Sequence, residues 1–305
     1  MPRRSRGLAG LILILVALAA AAAAALPAAA TTTIANRTIT NLRIAAGTRD
    51  VVYDHVTFKV SGSGRAVVEI GNACSNIVFR DCVITSGSWN GVSINDHNGS
   101  IHDITFLRCR FWRQKRMGLE VTSRPVSATA GYHGIKVLSC VFAPQGSEAI
   151  SFDGGTGCVD NVVDGTVIRG AGTNRAQPYG AGFELNGPGR FSFTNNHVYQ
   201  CRDALLNLQR SSTAASGWMF SGNVLDASRH YQKVPMNNRA QVVCADGVWG
   251  GTFPANTVIA RAPGGGVAWF GDCHDMDWRG TAWKDRRGGL YLRPWQEQGS
   301  ANNLF

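Results

Sequence analysis

Three carboxylates, Glu120, Asp153 and Glu184, sit in short stretches where apolar and polar residues alternate. In a strand such alternation turns every second side chain to the same face. Two acids about 5–10 Å apart on an open face are what glycoside hydrolysis requires, one as proton donor and the other as base or nucleophile. Amides flank these acids at Asn186, Asn207 and Gln209, and Asp203 lies close by in sequence. Two long interstrand stretches, 169–181 and 226–239, supply Arg175, Tyr179, His230, Tyr231 and Lys233. Those types suit elimination on an acidic sugar, where a cation neutralises the sugar carboxylate and a base removes a carbon-bound proton. The candidate catalytic residues are therefore Glu120, Asp153, Glu184 and His230. The candidate substrate-binding residues are Asn186, Asn207, Gln209, Asp203, Arg175, Tyr179, Tyr231 and Lys233. The oxygen-rich stripe is also compatible with Ca²⁺, although no motif requires it. No Cys/His spacing suggests zinc.

What must position these residues is an internal repeat. The hexapeptides 79–84 (FRDCVI), 106–111 (FLRCRF) and 137–142 (VLSCVF) share one template: large apolar, two variable, small, one variable, large apolar. The same template continues at 163–168, 193–198, 220–225 and 253–258, is preceded at 53–58 and closes at 278–283. Its small-residue column reads Val56, Cys82, Cys109, Cys140, Thr166, Asn196, Asn223, Asn256 and Thr281. The intervals average about 28 residues, within the range of solenoid repeats. A further strand follows each template segment, at 67–70, 91–94, 118–121, 149–152, 182–185, 205–208, 240–243, 266–269 and 289–292. These strands turn Glu69, Ser93, Glu120, Ser151, Glu184 and Asn207 outward. Two residues on, Asn95, Thr122, Asp153, Asn186 and Gln209 share that face. A rise of ~4.8 Å per coil puts Glu120 and Glu184 ~10 Å apart. The pattern predicts an all-β right-handed parallel β-helix of about nine coils.

The chain has eight cysteines. Cys82, Cys109 and Cys140 occupy the bend column on successive coils, where stacked side chains are ~4.8 Å apart and too far to bridge. They are expected as a buried, reduced ladder. Cys74, Cys158 and Cys273 share another column several coils apart, which leaves Cys244–Cys273 as the one pairing to consider.

In these features the chain resembles the pectate-lyase-like superfamily of right-handed β-helices, over residues 34 to about 293. That resemblance implies three short strands per coil, an asparagine ladder at one bend (here Asn196, Asn223 and Asn256) and a ligand on the outer face of one sheet. The superfamily's catalytic motifs are absent as complete patterns. Asp54-His55 and Asp96-His97 match only fragments of the pectate-lyase segment.

Residues 1–30 read as a signal peptide. Arg3, Arg4 and Arg6 precede an uncharged apolar run, and small residues precede Thr31. The β-helix domain is then expected over 31–305, secreted, monomeric and with no stable membrane span. Without those three arginines, 27 of the 30 cations remain against 20 acids, a net charge of +7. No Lys/Arg block suggests nucleic acid, whereas the positive balance favours an acidic polymer. Two functions follow: a secreted carbohydrate-active lyase or glycoside hydrolase acting on a polysaccharide, or a non-catalytic polysaccharide-binding or cell-surface scaffold.

Overall fold

The computed structural model describes residues 32–62, 66–85, 89–123, 131–174, 176–177, 180–187, 189–209, 217–229, 243–259, 268–284, 295–296 and 302–305. The expected signal segment lies outside this set. So do Arg175, Tyr179, His230, Tyr231 and Lys233.

Among the described residues the chain winds into three parallel sheets of eight, ten and ten strands, successive coils contributing in turn to sheet 1, sheet 2 and sheet 3. It is a right-handed parallel β-helix, as the repeat predicts. The template hexapeptide spans the end of a sheet 1 strand, the bend and the following sheet 2 strand. Backbone pairing from Thr57 through Val83, Arg110, Val141, Val167, His197, Val224 and Thr257 to Ala282 puts all nine small-column residues in register. One coil precedes the nine expected: Thr38–Thr40 pairs with Thr57–Lys59, so Arg37 heads the column. It escapes the template because Arg is neither small nor apolar.

The bend has a backbone requirement as well. The residue before each column position is left-handed on every coil, from Asn36 (φ 49°), His55 and Asp81 to Gly222 (φ 67°), Ala255 (φ 55°) and Gly280 (φ 81°). Gly, Asn and Asp adopt this conformation readily, whereas a Cβ-bearing residue such as alanine pays about 1 kcal/mol. Ala255→Gly is therefore expected to stabilise the protein by up to about 1 kcal/mol, seen as a higher midpoint in urea.

Column side chains replace the hydrogen bonds that the bend breaks. Asn223 Nδ2 donates to the Phe193 carbonyl at 2.8 Å and to Asn256 Oδ1 at 2.9 Å, while its Oδ1 accepts from the Asn196 backbone N–H at 2.9 Å. The thiols repeat this pattern. Cys140 Sγ accepts from the Cys109 N–H at 3.3 Å and donates to the Phe106 carbonyl at 3.4 Å. Cys109 Sγ donates to the Phe79 carbonyl at 3.2 Å, and Cys82 Sγ to the Tyr53 carbonyl at 3.3 Å. Thr166 joins the two halves, its Oγ1 accepting from Cys140 N–H and its own N–H donating to Asn196 Oδ1. Cys82, Cys109 and Cys140 are buried free thiols, as are Cys74, Cys158 and Cys201. The side chain of Cys244 lies outside the described residues, and Cys273 Sγ donates to the Gly271 carbonyl.

Inside, like residues stack on like. Tyr53, Phe79 and Phe106 form one pile with centroids 5.0 and 4.8 Å apart, and Phe253 stacks on Trp278 at 4.0 Å. The last coils depart from the expected strand positions. Among the described residues the sheet 3 strands are Val243–Asp246, Ala268–Gly271 and Trp295–Gln296; the first two are offset from the expected 240–243 and 266–269, and the expected strand at 289–292 lies outside the described residues. A two-residue slip at 243–246 keeps the alternation. The strand Ala268–Gly271 inverts it, burying Ala268 and Phe270, because Phe270 fills the core beside Trp278.

Candidate functional site

The outer face of sheet 3 is built as the alternation predicts. Pairing runs Glu69–Ser93–Glu120–Ser151–Glu184–Asn207 in one column and Asn95–Thr122–Asp153–Asn186–Gln209 in the next. Their neighbours Val92, Ile94, Leu119, Val121, Phe183, Leu185 and Leu208 are completely buried, so the core fixes which way the polar residues point. Glu184 thus sits directly beside Ser151 on one side and Asn207 on the other. Glu120 is two coils away, ~10 Å along the axis.

The acids are not equivalent. Glu120 accepts from Asn90 Nδ2 at 2.6 Å and Ser93 Oγ at 3.0 Å, and its other oxygen lies 3.3 Å from Arg116. Three donors hold this carboxylate in place. Asp153 is exposed at the end of its strand. Glu184 is half-buried, and its carboxyl is pushed up to about 7. Desolvation is the main cause, followed by repulsion from Glu148 and then Asp153, with Arg116 opposing.

Glu148 escapes the strand pattern because it lies in the turn entering the strand Ile150–Asp153. It is 1% exposed. Burial raises its pKa, and the bond from Ser147 Oγ opposes the shift. Arg116 and Trp89 escape for the same reason. The turn residues Trp89, Arg116 and Ser147 form a column of their own, linked by Arg116 N–H to the Trp89 carbonyl and Ser147 N–H to the Arg116 carbonyl. The Arg116 guanidinium lies 5.5 Å from the Trp89 ring centroid, and Trp89 is 47% exposed. The period of about 28 residues could have found them, because each sits three or four residues before an outward strand residue already identified.

Asp203 belongs to the same turn edge and pairs with Arg202 at 3.3 Å. Arg202 is buried and donates to the carbonyls of Asn174 and Gln177. The described part of the 169–181 loop is also fixed to the preceding coil, with Gly172, Thr173 and Asn174 N–H donating to the carbonyls of Ser147, Gln145 and Gly146. These bonds tie it to the turn that carries Glu148. The second expected wall, 226–239, lies outside the described residues beyond Arg229.

Metal-compatible geometry occurs elsewhere. Among the described residues, Asp54, His55 and Asp81 bring ligand atoms within 4.8 Å of one another at the bend between sheets 1 and 2. Arg80 forks both Asp54 oxygens and Arg108 both Asp81 oxygens, which makes this a ladder of ion pairs between coils.

No protein-family model and no curated protein matches the chain. Among solved structures it is similar to the A-module of mannuronan C-5 epimerase AlgE4 of Azotobacter vinelandii. There the TM-score is 0.51 and the identity 12%, over 89% of this chain and 77% of that one. It is also similar to a mutant tailspike protein of E. coli bacteriophage HK620 in complex with a pentasaccharide. That likeness has TM-score 0.50 and 11% identity, over 83% of this chain and 53% of the tailspike chain, about half its length. At such identities the likeness is one of fold, and the chain shares with both a right-handed parallel β-helix.

Proposed function

We propose that this protein is a secreted glycoside hydrolase that holds an extended polysaccharide across the outer face of sheet 3, with Glu184 as proton donor. The observation that carries this reading is the Glu184 carboxyl raised to about 7 beside Glu148 and Asp153. An acid that keeps its proton near neutrality can protonate a leaving glycosidic oxygen, and an exposed carboxylate one coil away can serve as base or nucleophile. Asp153 fills the second role. Elimination needs a cation free for the sugar carboxylate, and Arg116 is already engaged by Glu120. Hydrolysis therefore fits the described residues better. Two similar folds support a glycan as ligand: one is named as a mannuronan epimerase and the other was solved with a pentasaccharide. The apolar leader at 1–30 supports export.

The purified chain after residue 30, screened on neutral and acidic glycans, is expected to release reducing ends without new absorbance at 235 nm. Absorbance at 235 nm would identify elimination and sink hydrolysis. The absence of any product would leave the scaffold reading.

Exposed Trp89 supplies a stacking platform at the edge of the acids. Trp89→Ala is expected to raise KM, or weaken retention on the glycan, about tenfold while leaving kcat within about twofold, the signature of lost uniform binding. A fall in kcat at unchanged KM would contradict a platform role.

A further inference from the structure

We propose that the outer face of sheet 2 is a second polysaccharide-binding surface, which holds a linear anionic chain along the helix axis, apart from the carboxylate face on sheet 3. Three observations lead there.

The first is charge. The sheet 2 strands turn outward Lys59, Arg110, Arg169 and Lys284, with Arg113 at the edge. These cations are exposed, and among the described residues none forms an ion pair with a carboxylate. Most of the described arginines elsewhere behave differently, Arg37 and Arg49 excepted. Arg43, Arg80, Arg108, Arg190 and Arg279 each hold an acid on their own or a neighbouring coil at 2.6–2.9 Å. The described acid on sheet 2, Asp226, is buried and accepts from the Ser228 backbone. One face therefore carries uncompensated positive charge, while sheet 3 carries acids. A polyanion is attracted to the first and repelled by the second.

The second is aromatic surface. Trp112 lies under two guanidinium groups, Arg110 at 5.7 Å and Arg113 at 5.8 Å from its centroid. Tyr199 occupies the same outward position as Trp112, the third residue of its strand, directly beside Arg169. Arginine next to an aromatic ring can pair with a sugar carboxylate while the ring packs against the sugar.

The third is shape. Strands here are two or three residues long, so two columns of side chains form the surface. Ten such strands give a strip about 7 Å wide and about 45 Å long, roughly 300 Å². That is well below the ~800 Å² per partner of a stable protein interface, and it matches a single extended chain.

The test uses polygalacturonate as the probe and the double variant Arg110→Glu/Arg169→Glu, with Arg110→Ala/Arg169→Ala as the milder pair. Thermal melts establish that each variant is folded. Wild type and Glu184→Gln are expected to bind polygalacturonate alike and to weaken as salt rises. The Glu pair should bind at least tenfold more weakly, with a flatter salt dependence. The proposal is overturned if the folded pairs bind as tightly as wild type, or if wild type does not bind. It is equally overturned if wild type binds phosphatidylserine vesicles but not polygalacturonate. Because turnover does not enter the measurement, this surface and the hydrolase reading of sheet 3 stand or fall separately.

Discussion

Glu184→Gln should melt higher than the unaltered protein at pH 8, melt with it at pH 4, and lose turnover about a hundredfold or more. Both effects come from one carboxyl. Its pKa in the folded chain is about 7, raised from 4.5. The folded state thus binds this proton more tightly than the unfolded state does. Its contribution to stability is complete below about 4.5 and is lost as pH rises through about 7. Glutamine keeps the shape, carries no charge at any pH and escapes that loss. A melting temperature higher by about 2–5 °C at pH 8 is the expected size for a chain this long. Glu148 is raised in the same direction, so some of the pH dependence survives in the variant. Catalysis responds in the opposite sense, because glutamine has no proton to give to a leaving oxygen. On the proposed role, turnover by the unaltered protein should fall as pH rises through about 7. Calorimetry at the two pH values and a pH–rate profile check both halves. A variant that melts lower at pH 8, or that keeps full turnover, would remove Glu184 from the proposed role.

Cys109→Asp should abolish folding, whereas Cys109→Ser should fold with a modest loss. The Cys109 side chain is fully enclosed between Cys82 and Cys140. An aspartate there would bury a charge with no cation to meet it, at a cost of several kcal/mol, a large part of the stability of an ordinary domain. Serine can still donate to the Phe79 carbonyl, as the Thr281 hydroxyl at the same bend position donates to the Phe253 carbonyl of the preceding coil. Thiol labelling gives an independent check. The Cys82 thiol is pushed well up by its bond to Cys109 and by burial, and the Cys109 thiol by burial and by its bond to Cys140. All three side chains are buried, and Cys82 and Cys109 are also held as thiols, so the native protein should leave Cys82, Cys109 and Cys140 unlabelled. Denaturation without reductant should expose all three. Recovery of any of them in a disulfide would refute the ladder.

The bend column was legible because its requirements fall on single residues at a fixed interval. A small side chain must fit and must also bond to the neighbouring coils, and Cys, Thr and Asn each meet both conditions. The left-handed residue before it was equally open to reading through Asp81, Asn195, Gly222 and Gly280. The strand at Ala268–Gly271 was not legible, because 266–271 offers apolar residues to either face and only packing against Trp278 selects Phe270. In the site, the outward columns were legible from alternation alone. Glu148, Arg116 and Trp89 were not, since they lie in turns, where alternation says nothing.

The sequence by itself determined the coil, the register of the bend column through nine repeats and the polar stripe on sheet 3 as far as Gln209, because over those strands a period-two pattern repeated about every 28 residues leaves one way to bury the apolar side chains. Only the tertiary structure decided which acid differs from the others. Glu120 and Glu184 occupy the same column and read alike in sequence. Asn90, Ser93 and Arg116 surround the first, while buried Glu148 and exposed Asp153 lie around the second. A carboxyl's proton affinity depends on the charges and the water within a few ångströms, and for Glu184 residues more than thirty positions away along the chain supply the charges.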